Sequence, residues 1–193
     1  MKHIHPLTAL VMLFSFVLLT ASCSQEKPVE ELKTWEEVLE EDLHLLGHRN
    51  WILVVDKAFP EQSSAGMKYI YVDLDLLPTL DHVLGALDLS THVKPIIYQD
   101  KELSFITEEQ MAGIEEFRAE AAKTLEGREV NTLLHDEVFS MLDESSSLFR
   151  VLVIKTNCTL PYTSVFLQLD CSYWGPENEQ ILRELMLEAP ISP

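Results

Sequence analysis

Gly47-His48-Arg49-Asn50-Trp51-Ile52-Leu53-Val54-Val55-Asp56 places an unbroken apolar run, Trp51 to Val55, between polar residues on either side. A run of five without polar alternation is what a strand needs when both faces of its sheet are covered by helices. The sequence on either side agrees. Upstream, Thr34 with Glu37 forms a capping box, Trp35, Val38, Leu39, Leu43 and Leu46 recur at helical spacing, and Gly47 supplies the stop. Downstream, Lys68 to Leu74 is β-rich, Pro78 suits the first turn of a helix reaching about Leu87, and Val93 to Tyr98 is a third strand.

The alternation continues to the end of the chain. Thr107 with Gln110 predicts a capped helix to about Leu125, followed by a strand at Glu129 to Leu134 and a short helix at Asp136 to Asp143. Phe149 to Thr156 and Ser164 to Ser172 read as the last two strands, and Pro176 to Leu187 as a closing amphipathic helix. The expected fold is α/β: a three-layer α/β/α sandwich with a largely parallel sheet of about six strands. No GxGxxG and no P-loop follows any strand, which removes the main support for a nucleotide reading.

Composition narrows the partners. The 193 residues carry 14 Lys+Arg against 32 Asp+Glu, a formal net charge of −18, so there is no basic surface on which to hold nucleic acid. The charge equally disfavours phosphorylated substrates, since no cluster of Arg or Lys is visible to bind a phosphate. A hydrophobic share of 47% is too high for a disordered chain.

The N-terminus reads as an address. Lys2 precedes the uncharged run Leu7 to Leu19, and Leu18-Leu19-Thr20-Ala21-Ser22-Cys23 resembles a bacterial lipobox with Thr20 in the usual leucine position. The expected organisation is a lipoprotein-type signal peptide over 1–22, a tether over 23–33 and one domain over 34–193. The lipobox resemblance implies Cys23 as the lipidation site, membrane attachment through that lipid and a place in the bacterial cell envelope. Cys158 and Cys171 flank one expected strand, too far apart for a disulfide, and no metal site is expected.

In open α/β sheets ligands bind beyond the carboxyl ends of the strands, so the polar residues bordering each apolar run are the candidates. His48 precedes the first run and Asp56 ends it. His135 follows the fourth, and Lys155, Asn157 and Tyr162 follow the fifth. A histidine and a carboxylate are the natural pair for moving protons at neutral pH.

The order of these pieces resembles the D-ribose pyranase and L-fucose mutarotase family. In that family a helix ends in Leu-Gly-His and a short apolar strand leads to Asp-Ala-Gly-Leu-Pro; here Leu46-Gly47-His48 leads to Asp56-Lys57-Ala58-Phe59-Pro60. Leu77-Pro78-Thr79-Leu80-Asp81-His82-Val83-Leu84 is similar to the family's Val-Pro-Ser-Phe-x-x-Val-Leu, and His135 with Phe139 to its His and Phe. Val153-Ile154-Lys155-Thr156-Asn157-Cys158-Thr159-Leu160-Pro161-Tyr162-Thr163-Ser164 keeps the spacing of Val-Ile-Arg-Ser-Gly-x-x-x-Pro-Tyr-x-Asn.

The resemblance implies an isomerase that interconverts ring forms of a neutral monosaccharide without a cofactor. It implies His48 as acid/base, Asp56 as its orienting partner, His135 as a second proton carrier or hydroxyl ligand, and Tyr162, Lys155 and Ser164 as sugar contacts. It also implies a homo-oligomer, in many members a decameric ring with sites between subunits. Four departures fall within the motifs: Lys57 for Ala, Ala58 for Gly, Lys155 for Arg and Ser164 for Asn. The alternative is a non-catalytic sugar-binding or assembly lipoprotein that keeps the fold.

Overall fold

The structure is a computed structural model that describes residues 33–188; the expected signal peptide, Cys23 and the tether up to residue 32 lie outside them. The order of elements is α1 (Trp35–Leu43), β1 (Trp51–Val55), β2 (Met67–Tyr71), α2 (Leu76–Asp88), β3 (Val93–Asp100), α3 (Ile114–Thr124), β4 (Val130–Leu133), α4 (His135–Leu148), β5 (Val151–Lys155), β6 (Val165–Cys171) and α5 (Pro176–Glu188). The six strands form one sheet in the order β2-β5-β1-β6-β3-β4. β1 pairs parallel with β5, β5 with β2 and β3 with β4, while β6 runs antiparallel to both β1 and β3. The sheet is therefore largely parallel with one reversed strand near its centre.

Helices cover both faces. Ile52 and Val54 of β1 point into a core closed by Leu39 and Leu43 of α1, Leu80 and Leu84 of α2, and Ile114 and Phe117 of α3. Trp51, Leu53 and Val55 point the other way, against Val138 and Leu142 of α4. All five residues of β1 are fully buried, as the unbroken apolar run requires. Trp51 keeps its polar atom satisfied by donating its indole N–H to Ser145 Oγ at 3.1 Å.

Local chemistry fixes the boundaries. Thr34 Oγ1 accepts the Glu37 N–H and the Glu37 carboxylate accepts the Thr34 N–H, completing the expected capping box. Past α1, His92 Nε2 lies 3.1 Å from Leu43 O and 3.0 Å from Leu46 O, satisfying carbonyls that a helix end leaves open. That contact holds the Leu46-Gly47-His48 turn at the entrance to β1.

The expected helix from Thr107 begins later than its capping box. Thr107 and Gln110 do bond each other, at 2.9 Å from the Thr107 N–H to Gln110 Oε1, yet they close only a turn. Gly113 adopts φ 86°, a left-handed conformation that ends that turn, and α3 starts at Ile114. Glu108 caps α3 instead, accepting the Gly113 N–H at 2.6 Å and the Glu115 N–H at 3.2 Å. Those two N–H groups hold the Glu108 carboxyl below its ordinary range. Cys158 is buried and Cys171 half-buried, and both are free thiols. Among the described residues no helix is long and apolar enough to cross a membrane.

Candidate functional site

The reversed strand β6 assembles the site. Only residues 156–164 separate the end of β5 from the start of β6, so the chain turns back at the sheet end it has just reached. Because β5 and β6 lie on either side of β1, this loop must pass over the C-terminal end of β1. It is pinned there: Thr156 Oγ1 donates to Val55 O at 2.8 Å, and the Lys57 N–H donates to Cys158 O at 2.8 Å. One end of the sheet thus gathers Asp56 after β1, Asp100 closing β3, His135 after β4, Lys155 closing β5, Tyr162 in the loop and Ser164 before β6.

His135 opens α4, and its ring Nδ1 lies 3.0 Å from Asp100 Oδ2. The Asp100 side chain is wholly buried, and its other oxygen, Oδ1, has no hydrogen-bond partner. Burial pushes the Asp100 carboxyl above its ordinary value; the hydrogen bond and charge of His135 pull it back, while Glu102 and Asp56 add repulsion in the same direction as burial. A carboxylate in this position accepts from Nδ1–H and leaves Nε2 as the basic nitrogen. Glu102 secures the backbone, accepting the His135 N–H at 3.1 and 3.2 Å through its two oxygens.

Aromatic rings surround the imidazole. Tyr162 meets it edge-on with centroids 5.2 Å apart, Phe139 lies at 4.6 Å, and Phe59 stacks beyond Phe139 at 5.4 Å. Tyr162 reaches this position with φ 58°, left-handed backbone that is strained for a tyrosine. The rings of His135 and Tyr162 both remain partly open to solvent.

Asp56 is held separately. Its Oδ2 accepts from Ser164 Oγ at 3.0 Å and its Oδ1 from the Ala58 N–H at 2.8 Å, while Ser164 Oγ also faces the Asp56 N–H at 3.2 Å. Ser164 and Ala58, two of the departures from the family motifs, are therefore the groups that orient this carboxylate. The other two departures turn elsewhere. Lys57 Nζ donates to Asn157 Oδ1 at 3.2 Å, in a rim network where Tyr71 OH donates to the same oxygen at 2.8 Å. Lys155 Nζ donates to Phe59 O at 2.7 Å and so clamps the loop after β1.

His48 is not part of this cluster. It precedes β1, so the five-residue strand, about 17 Å long, separates it from Asp56 within one subunit. Its Nδ1 lies 3.0 Å from Asp170 Oδ1 and its Nε2 accepts from Arg49 Nε at 3.3 Å, so both ring nitrogens are engaged within the subunit. A cavity of about 390 Å³ opens on the outer side of the 156–164 loop, lined by Asp75, Pro78, Glu116, Asn157 and Leu160, and does not include His135 or Asp56. Among the described residues no three His, Cys, Asp or Glu side chains gather as metal ligands.

Asp100 and Glu102 are the residues that the sequence reading passed over. The signal was present: Asp100 ends the Val93 run just as Asp56 ends the Trp51 run. The strand simply extends two residues past Tyr98.

No family model matches the sequence, and no curated protein matches it significantly. Among solved structures, the chain is similar to RbsD of Bacillus subtilis complexed with D-ribose, at 20% identity and a TM-score of 0.48 over 72% of this chain and 95% of that one. It is also similar to the fucose mutarotase of Streptococcus pneumoniae in complex with L-fucose, at 19% identity and a TM-score of 0.47 over 66% and 87% of the two chains. A third likeness is to FucU of Bifidobacterium longum, at 19% identity and a TM-score of 0.43 over 68% and 91%.

Proposed function

We propose that this protein binds a neutral monosaccharide at the carboxyl end of its sheet and interconverts the sugar's ring forms by acid/base ring opening. The observation that carries the reading is the Asp100–His135 pair, which presents Nε2 beside Tyr162 at the carboxyl end of the strands, where open α/β sheets take their ligands. In the reaction, His135 Nε2 takes the proton of the anomeric hydroxyl, the bond from anomeric carbon to ring oxygen breaks with its electron pair left on the ring oxygen, and a water molecule in the open site gives that oxygen a proton and recovers one from the His135 imidazolium. The open-chain aldehyde then recloses with the proton transfers reversed, so no atom or electron is gained or lost and no cofactor is consumed. Asp56 accepts a sugar hydroxyl, and Tyr162 forms the wall of the site. His48 enters this chemistry only from a second copy of the chain, which is the role of the homo-oligomer in this proposal.

The lipid anchor at Cys23 and the cell-envelope location belong to the same proposal, supported by the lipobox-like segment before Cys23. A second reading, sugar binding without turnover, is favoured by one observation: both ring nitrogens of His48 are already engaged within its own subunit. Saturation-transfer NMR separates the two. Faster anomer exchange of ribose, fucose or galactose supports the enzyme; sugar binding with exchange at the buffer rate supports the binding protein.

A further inference from the structure

The closing helix α5 lies beyond the last motif of the resemblance and, among the described residues, is the one helix without a buried side chain. A helix of 13 residues is marginal in water on its own, and helices in folded proteins owe most of their stability to an apolar face packed on a core. α5 has such a face. Ile181, Leu182, Leu185 and Met186 recur at the spacing that makes one stripe, yet they remain 55%, 40%, 58% and 59% exposed.

The helix meets its own domain with a polar border instead. Pro176 and Glu179 face the cavity that His48 and Asp170 line. Glu179 accepts the Trp174 indole N–H at 2.9 Å and the Arg183 Nε–H at 2.7 Å, a chain that fixes the first turns in this orientation. Those two donors, the indole first, hold the Glu179 carboxyl below its usual range, so the border is ionised. The apolar stripe is thus held outward for a partner from outside the domain.

Charge decides which partner. α5 carries four Glu against one Arg, a net charge of −3. Glu177, Glu184 and Glu188 form a row along the Ile181 border of the stripe, and an antiparallel second copy would set that row against itself. A neutral lipid surface takes up the stripe and leaves every carboxylate in water. The chain also brings such a surface close. Ten residues lead from Cys23 to Lys33, an extended span of at most about 36 Å, so a lipid on Cys23 keeps the domain beside a bilayer at high local concentration.

We propose that α5 lies along the bilayer that holds the anchor, with the stripe from Ile181 to Met186 at the acyl-chain boundary of zwitterionic lipid and its glutamates in water. The inference rests on the lipid anchor of the proposed function and is independent of the sugar chemistry. The test uses full-chain protein reconstituted in phosphatidylcholine vesicles with brominated acyl chains. Leu185→Trp adds a fluorophore in the stripe, and Gln180→Trp adds one about 140° around the helix. With wild-type emission subtracted, brominated lipid should lower the Leu185→Trp signal about twofold or more and leave the Gln180→Trp signal nearly unchanged. Leu182→Glu with Met186→Glu should abolish that quenching without changing thermal unfolding, since neither side chain is buried. Anionic lipid should weaken it, because α5 is negative. A Leu185→Trp signal untouched by brominated lipid would overturn the proposal, as would a blue shift that appears only as protein concentration rises, the mark of a second copy on the stripe. The anchor has its own readout. Quenching in protein that takes up no fatty-acid label removes the anchor and leaves the helix on the membrane; label without quenching keeps the anchor and removes the helix.

Discussion

Asp100, the last residue of β3, and His135, the first residue of α4, are joined by a 3.0 Å hydrogen bond that places a wholly buried carboxylate behind a partly exposed imidazole. A buried carboxylate costs folding energy unless its bonds offset that cost, and here one oxygen has no partner. The arrangement matches an orienting group for a proton-transferring histidine, and it makes Asp100 a site where stability and activity should move in opposite directions.

Asp100→Asn tests this opposition. The amide removes the buried charge, so at neutral pH the variant should be as stable as the wild type or more so in denaturant unfolding. Catalysed anomer exchange should fall roughly ten- to hundredfold, the equivalent of losing a charge-assisted hydrogen bond of about 1.5–3 kcal/mol. The pH dependence has a defined sign. Burial raises the folded carboxyl above its ordinary 3.8, so the folded state takes up this proton before the unfolded chain does. Wild-type stability should therefore rise relative to Asp100→Asn as pH falls through the folded value, with the gain complete below the unfolded one. A gap that widens in the variant's favour on acidification contradicts the assignment.

Gly66 tests the packing that supports β2. A Cβ there would lie 2.3 Å from both Ser146 O and Phe149 O, backbone atoms at the end of α4 that cannot move alone. Gly66→Ala should cost about 2–3 kcal/mol or more and lower the melting temperature by roughly 5–10 °C, read by circular dichroism. An unchanged melting temperature would show that this approach of α4 to the chain before β2 is not close.

Cys23 tests the anchor independently of any chemistry in the domain. Expressed in a bacterial host with labelled fatty acid, the wild type should incorporate label and sediment with membranes. Cys23→Ser should do neither and should accumulate as the unprocessed precursor. Equal labelling of both proteins excludes lipidation at this cysteine.

Much of this fold is legible in the sequence because its signals are local. Trp51 to Val55 forms β1 with the boundaries its apolar run implies, and Thr34 caps α1 through Glu37. The start of α3 is not legible in this way, because the left-handed turn at Gly113 outweighs the capping pair before it. The helix expected at Asp136 to Asp143 instead runs from His135 to Leu148, through a serine run of poor helix propensity. There Ser146 and Ser147 hydroxyls bond back to the carbonyls of Asp143 and Glu144, and Ser145 receives the Trp51 indole.

Direction and distance are non-local, and there the sequence is silent. Nothing in residues 165–171 marks β6 as the reversed strand, although that reversal carries the 156–164 loop over Asp56. That His48 and Asp56 stand at opposite ends of one strand is legible in the apolar run between them; what the run does not reveal is that the carboxylate beside a histidine at this sheet end is Asp100. Asp100 was equally visible as a strand-end carboxylate; only its burial and its bond to His135 distinguish it from the other acidic residues.

The most direct measurement is the anomer exchange rate of a free sugar by saturation-transfer NMR, with wild-type protein and His135→Ala compared at equal concentration. The account predicts exchange clearly faster than in buffer for at least one of ribose, fucose and galactose, and a fall of about 10²–10⁴-fold in the catalysed part on loss of the imidazole. Exchange at the buffer rate with every sugar, or an undiminished rate in His135→Ala, would contradict it.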